Sequence, residues 1–432
     1  MLSWRLKNKV GKLLSNERGT VSKEWGGRIT VALIYPNTYF LGMSNLGFQT
    51  IYHHLNSIEY ILCERAFLPN PGDTEEYQRS NTPLFSLESQ RPLYEFDCVA
   101  FSISFEEDYI NILKILDMAR IPLLSSQRGI NHPVVIAGGV VTFLNPEPIV
   151  PFFDLFLIGE GEGMVSDFAE LFRKTKGKAR GRKDLLMALA STEGAYVPDL
   201  YEVSYHNELT KEMKPLKGVP PVVKRRRINE LDDYHIPVTT VFTHDTEFKD
   251  TQLIEVSRGC GRGCRFCAAG FVYLPPRERK VDKIKGVIME GVEGAGKVGL
   301  VGTAVSEYNG LTEVLGDMVE RDREVTISSM RLDVINIETL RLLKAGGYRT
   351  ITLAPEAATE RLRKVINKGI GDGEIIGAIR LVAEAGIQRV KLYFIIGLPT
   401  ESEEDVRAIP ELAVRVRGVL GKGEVALSIN PF

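Results

Sequence analysis

The stretch Thr251–Cys267, TQLIEVSRGCGRGCRFC, constrains this chain more than any other. Leu253, Ile254 and Val256 make a short apolar run, which predicts a buried strand. The run breaks at Arg258-Gly259 into a glycine-rich loop carrying Cys260, Cys264 and Cys267, three of the chain's five cysteines. Thiolates are soft ligands for zinc or iron–sulfur clusters, and loop glycines let the backbone turn tightly enough for several sulfurs to converge. A closed zinc site takes four ligands, as an iron–sulfur cluster normally does. The remaining cysteines, Cys63 and Cys98, lie far upstream, and the loop holds no histidine. Three close thiolates without a fourth fit a cluster with one iron left open. Zinc binding and a reduced, non-ligating thiol loop are the alternatives.

A length of 432 residues predicts roughly two or three domains. With 44% hydrophobic and 25% charged residues, the chain has the make-up of a globular protein with a full core. A net charge of −2 gives no global field to recruit nucleic acid or an anionic membrane. No apolar run reaches the ~18 residues of a membrane span. Residues 1–27 form a basic N-terminal segment without the apolar core of a signal peptide. The clustered cysteines read as ligands rather than a disulfide framework, so the expected compartment is the reducing cytoplasm.

Residues 28–175 alternate apolar strands with helical patterns. Strands are expected at Arg28–Pro36, Ile61–Leu68, Asp97–Ser104, Pro133–Gly139 and Asp154–Glu162. Helices are expected at Leu46–Leu55, Tyr109–Ala119 and Met164–Phe172, with a polar loop over Pro69–Pro83. Nearly all-apolar strands alternating with helices predict a parallel, doubly wound, Rossmann-like α/β sheet. Its ligand crevice lies beyond the strands' carboxyl ends, which puts Asn37, Ser102, Gly138, Gly139 and Glu160 on one rim. Cys63 and Cys98, inside strands, read as small buried hydrophobes.

Residues 176–250 read as a linker, with a helix at Asp184–Ala190 and strand content over Tyr196–Val203. Two basic runs, Arg173–Lys183 and Lys224–Arg227, are expected to be solvated loops, with phosphate or RNA contact the minority reading.

Residues 251–432 repeat a strand–helix unit. Strands are expected at Gln252–Val256, Lys297–Gly302, Glu324–Ser329, Arg349–Ala354, Gln388–Gly397 and Glu424–Asn430. The helices between them are expected at Val281–Gly294, Leu311–Arg321, Ile337–Ala345, Glu374–Ala385 and Glu403–Val419. This pattern predicts a partial (β/α)6 TIM-type barrel with its active groups at the strands' carboxyl ends. Lys391 and Tyr393, two apart on one strand, share a face.

The cysteine spacing, with Phe266 before the last thiol, resembles the signature of the radical S-adenosylmethionine (SAM) superfamily. Thr352–Ile370, Lys391–Asp405 and Pro83–Tyr109 look like its mostly uncharacterised group with an N-terminal cobalamin-binding-type domain. In that domain the likeness rests on Gly138-Gly139, Asn145–Pro148 and the GEGE run ending at Glu162. The resemblance implies a 4Fe–4S cluster on Cys260, Cys264 and Cys267. It implies SAM held by Gly302 and Thr303, Ser328 and Arg331, Glu356, and Gly397. It also implies an external one-electron donor such as flavodoxin or ferredoxin, an unidentified substrate, and reductive SAM cleavage to a 5′-deoxyadenosyl radical for hydrogen abstraction.

Cobalamin is a further candidate cofactor, and a cobalamin-dependent methyltransferase a second reading. The loop Asn37–Leu46, however, lacks the histidine of the family's cobalt-ligating motif. A non-catalytic SAM-binding scaffold is a third. The tRNA methylthiotransferases carry a second three-cysteine cluster in their N-terminal domain, for which Cys63 and Cys98 are too few. Relatives usually continue past the sixth strand, so the ending at Phe432 reads as a truncation.

Overall fold

The computed structural model describes residues 2–206, 209–291 and 296–432. The chain forms two compact units: Met1–Ile228 with Thr239–Lys249, and Asn229–Val238 with Asp250–Phe432.

In the first unit, strands β1 (Ile29–Tyr35), β2 (Ile61–Phe67), β3 (Cys98–Ser102), β4 (Val134–Gly138) and β5 (Leu155–Leu157) run parallel in the order β2-β1-β3-β4-β5. A short β6 (Ala195–Tyr196) adds antiparallel to β5 at the edge. Every residue of β1 and β2 is buried, because helices cover both faces of the sheet. Val31, Leu33 and Tyr35 pack with Phe48 and Tyr52 of the helix Leu46–Ser57. Ala32 and Ile34 pack on the other face, with Ile112 and Leu116 of the helix Tyr109–Met118. The order 2-1-3-4-5 is the flavodoxin-type form of the doubly wound sheet, whose crevice opens where β1 and β3 diverge.

Three stretches of this unit fold differently from the sequence expectation. The basic N-terminal segment contains a helix, Trp4–Ser15, that buries Leu6, and the residues after it are pinned by charge. Arg65 lies 2.6 Å from Glu17 and 2.7 Å from Glu88, all three side chains buried. The loop expected at Pro69–Pro83 holds the helix Pro71–Arg79, since proline at a first helical position has its φ preset and needs no N–H bond. The linker expected at 176–250 is mostly part of the first unit. It supplies the helix Arg182–Leu189, β6 and the hairpin of β7 (Tyr201–His206) with β8 (Leu209–Pro215). Its composition is polar, but Leu185, Leu189, Val197, Leu200 and Val241 complete the core beneath the sheet. The Gln49 side-chain oxygen accepts from the N–H groups of Thr240 (3.1 Å) and Val241 (3.0 Å), which fixes the returning strap.

In the second unit, β9 (Thr251–Glu255) leads into the cysteine loop. That loop is closed at its base by the antiparallel pair β10 (Ser257–Arg258) and β11 (Arg277–Glu278). Parallel strands β12 (Lys297–Val301) and β13 (Glu324–Ile327) continue from β9 in one sheet. The parallel strands β14 (Thr350–Glu356), β15 (Arg389–Ile396) and β16 (Glu424–Pro431) form another. Among the described residues, one parallel bridge, Met330 to Leu353, joins the two sheets. Ile254, Leu300, Ile327, Leu353 and Leu392 share one core with helix residues Val314, Leu340, Ile379 and Val416. The expected helix Val281–Gly294 is formed over Val281–Glu290, and its residues 292–294 lie outside the described residues. A helix not expected from sequence, Glu360–Val365, follows β14. Among the described residues, no helix is long and apolar enough to cross a membrane.

Candidate metal centre

The cysteine loop leaves β10 through Gly259, whose φ of +86° only glycine adopts freely. A Cβ there would also stand 2.3 Å from the Tyr273 carbonyl oxygen. Cys264 is buried, while Cys260 and Cys267 are half-buried, so the thiols line a partly open loop. None of them is in a disulfide. Among the described residues, no three His, Cys, Asp or Glu side chains converge on one point as a single ion requires.

Contacts from the segments that follow β12, β13 and β14 hold the loop. The Gly259 N–H donates to Thr303 Oγ1 (3.3 Å), just past β12. Arg262 pairs with Glu307 (2.9 Å) and Asp333 (3.3 Å). The Arg265 N–H donates to the Ile366 carbonyl (2.9 Å) and its guanidinium to that of Val365 (2.6 Å). Phe266 packs against the small cluster of Ala357, Leu362, Ile366 and Leu398.

The residues singled out by sequence sit at these strand ends. Gly302 follows β12, and a Cβ on it would meet Ser257 Oγ at 2.6 Å. That hydroxyl is buried and has no hydrogen-bond partner among the described residues. Thr303 and Ser328 are exposed. Arg331 is chelated by Asp333 (2.9 and 3.0 Å) and reaches Glu307 (3.1 Å). Burial works against its charge, but Asp333, Glu307 and Cys264 outweigh this and raise its pKa. Glu356, at the end of β14, has the left-handed φ of +66° and is buried. Its carboxylate accepts from Lys368 Nζ at 3.0 Å. The Gly397 N–H, beyond β15, donates to Glu401 (2.6 Å), and the Lys391 ammonium lies 5.1 Å from the Tyr393 ring centroid.

Sequence reasoning missed Ser257, Glu307, Asn367 and Lys368. The usable signal for the last two was the turn Asn367-Lys368-Gly369 directly after a helical run.

In the first unit, Asn37 lies just past β1 and donates to Asp108 Oδ1 (2.7 Å), which Asn111 also reaches (3.2 Å). Asp108 Oδ2 is buried without a hydrogen-bond partner among the described residues. Burial pushes this carboxyl's pKa up, with Asn37 and Asn111 acting in the other direction. Glu160 accepts from the Ile228 N–H (2.6 Å). His53 and His54 lie on the helix Leu46–Ser57, with His54 Nε2 2.9 Å from Ser166 Oγ. Cys63 and Cys98 are fully buried, and burial pushes both thiols well above the usual range, as suits neutral core residues. In the first basic run, Arg173 and Lys174 pair with Glu170, Lys176 with Asp97, Arg180 with Asp184 and Arg182 with Asp154.

Residues 254–413 match the family described as the Radical SAM superfamily, and residues 47–198 the one described as Radical SAM proteins, N-terminal. The chain belongs to the radical SAM superfamily. It is 30% identical over 404 residues to an uncharacterized protein of Methanocaldococcus jannaschii, covering 93% of this chain and 77% of that one. An uncharacterized methyltransferase of Pyrococcus horikoshii is 25% identical over 66% of this chain and 58% of its own. In fold, the chain is similar to the radical SAM methyltransferase TsrM of Kitasatospora setae, with a TM-score of 0.59 at 15% identity over 93% of this chain and 72% of TsrM. It is also similar to the cobalamin-dependent radical SAM enzyme OxsB, with a TM-score of 0.56 at 14% identity over 89% of this chain and 52% of OxsB.

This radical SAM enzyme is therefore of a superfamily that implies a 4Fe–4S cluster and SAM. The donor set fits the cluster. Three thiols sit in a partly open loop stapled at both flanks, and the loop brings no fourth ligand. A cubane spreads its thiolates over separate irons, so they need not converge on one point. The loop after β1, residues 37–46, brings no histidine that could ligate the cobalt of a cobalamin.

Proposed function

We propose that the chain binds a 4Fe–4S cluster through Cys260, Cys264 and Cys267 and cleaves SAM reductively to start hydrogen abstraction from its substrate. One observation carries this reading: the three-cysteine loop stands at the carboxyl end of β9, and its staples come from Thr303 just past the neighbouring parallel strand β12 and from the helix that follows β14. In this reading those strands curve as a partial (β/α)6 barrel with the loop at its mouth. When bound, the cluster supplies the electron that breaks SAM into methionine and a 5′-deoxyadenosyl radical.

The chain's own residues position and enclose. Gly302 lets the backbone at the end of β12 pass close to the buried Ser257 hydroxyl, which a Cβ there would crowd at 2.6 Å. Thr303, Ser328, Arg331, Glu356 and Gly397 complete the SAM-facing rim. Arg331 and Gly397 already carry Asp333 and Glu401 as partners, so they shape the rim as much as they bind. An external donor of the flavodoxin or ferredoxin kind would deliver the electron.

Methyl transfer with cobalamin is the second reading. It is favoured by the sheet order of the first unit and by the methyltransferase names among the relatives. In this reading the crevice beyond the strands of the first unit would hold the cobalamin, with no histidine offered by the loop after β1. Anaerobic reconstitution with iron and sulfide, followed by addition of hydroxocobalamin and gel filtration, separates the readings. A 4Fe–4S spectrum with no retained cobalamin supports the first, and retained cobalamin supports the second. A reconstituted protein without a 4Fe–4S spectrum contradicts both.

A further inference from the structure

The turn that follows the helix Glu360–Val365 grips the cysteine loop residue by residue. Val365 and Ile366 accept from Arg265. Asn367, in the left-handed region at φ +54°, donates its amide to the Gly263 carbonyl (2.9 Å). Lys368 places its ammonium 5.6 Å from the centroid of Phe266, the residue before Cys267. Lys368 is only 6% exposed and its Nζ meets a single hydrogen-bond acceptor among the described residues, Glu356 Oε1.

An ammonium has three donors, and burying one with so few acceptors is costly unless nearby negative charge rewards it. Glu356 is one such charge. The same ammonium lies at cation–π range of an aromatic ring within the loop that the proposed function assigns to an anionic cluster. Glu356 itself has the left-handed φ of +66°, a backbone conformation that a non-glycine residue adopts at a cost.

We infer that Lys368 is a positioning residue for the cluster, whose buried charge, oriented by Glu356 and directed at Phe266, stabilises the reduced cluster and so raises its midpoint potential. The inference rests on the proposed 4Fe–4S function and concerns a residue outside the ligand set. Net charge near a cluster is one of the protein's means of setting its potential.

The test is an EPR-monitored redox titration of the full-length reconstituted protein without SAM. Lys368→Gln keeps a hydrogen-bond donor for Glu356 but removes the charge. It should retain wild-type iron content and lose tenfold in reduced-to-oxidised ratio at fixed potential, a shift of about −59 mV for a one-electron couple. Lys368→Arg should stay near wild type. Glu356→Gln, which leaves the cation unopposed, should shift the midpoint upward. Unchanged midpoints, or shifts of the same sign in Lys368→Gln and Glu356→Gln, overturn the inference. If Lys368→Gln takes up no cluster, the uncharged and similarly shaped Lys368→Met is titrated in its place, with the same downward shift expected and an unchanged or upward midpoint overturning the inference. A wild-type protein without a 4Fe–4S spectrum would instead defeat the proposed function itself.

Discussion

Asp108 shows how one buried carboxylate can oppose stability while shaping a crevice. Burial raises its pKa, and Asn37 and Asn111 only partly offset this. A carboxyl whose folded pKa lies above its unfolded value costs stability once both states are ionised, and the cost disappears below the unfolded value of about 3.9. Asp108→Asn should therefore be at least as stable as wild type at pH 7, and the gap should narrow as pH falls toward ~4. Urea denaturation at several pH values reads this directly, and a variant weaker than wild type at pH 7 contradicts it. At this scale the sequence was legible where chemistry is contiguous. Cys260, Cys264 and Cys267 fall in one short loop and announce themselves. Lys368 did not, because its meaning depends on Glu356 and Phe266, which only folding brings beside it. Arg331 was read as a SAM contact, and only the structure shows it chelated by Asp333, two positions on.

Elements in this chain are stabilised at their ends as much as along their lengths. Asp154, at the entry to β5, is buried between Arg128 (3.0 Å) and Arg182 (2.7 Å), and its Oδ2 also accepts from the Val135 N–H. Asp154→Asn leaves two guanidinium groups short of their counter-charge, Arg128 fully buried, so a loss of about 3–5 kcal/mol is expected in denaturant unfolding. A loss under about 1 kcal/mol would mean that the carbonyls around Arg128 suffice. Asp405 closes the capping box of the helix Glu403–Leu420 with Ser402 and also binds Thr359 and Arg361. Burial pushes its carboxyl up, but those hydrogen bonds outweigh it and hold the pKa well below the usual range. Its contribution is therefore present above about pH 4 and lost as pH falls through the lower folded value. Asp405→Ala should cost about 1–2 kcal/mol at pH 7, with the difference shrinking in acid; a pH-independent difference would contradict the carboxylate's role. Strands such as β1, β4 and β15 were legible as apolar runs between turns. The helix Pro71–Arg79 was not, since its apolar content is low and its opening proline reads as a loop marker.

The whole molecule pairs a doubly wound sheet with a second series of parallel strands, each unit with its own core. Both architectures were legible because strand and helix periods alternate along the chain. The boundary between them was not. The stretch 176–250 is polar and proline-bearing overall, yet scattered apolar residues such as Leu189 and Val241 are what complete the first core. Composition averaged over such a stretch hides the few side chains that decide where it packs. The proposed SAM cleavage, by an electron delivered through the three-cysteine loop, needs the loaded cluster and all three thiols at once. The most direct test is to reduce the anaerobically reconstituted protein with dithionite, add SAM and measure 5′-deoxyadenosine by chromatography. 5′-Deoxyadenosine is expected from the wild type only when dithionite is present, and none from Cys260→Ala, Cys264→Ala or Cys267→Ala, whose far-ultraviolet circular dichroism stays as in wild type. A fully loaded, reduced wild-type protein that leaves SAM intact, or a cysteine variant that still cleaves it, would rule out SAM cleavage through this loop.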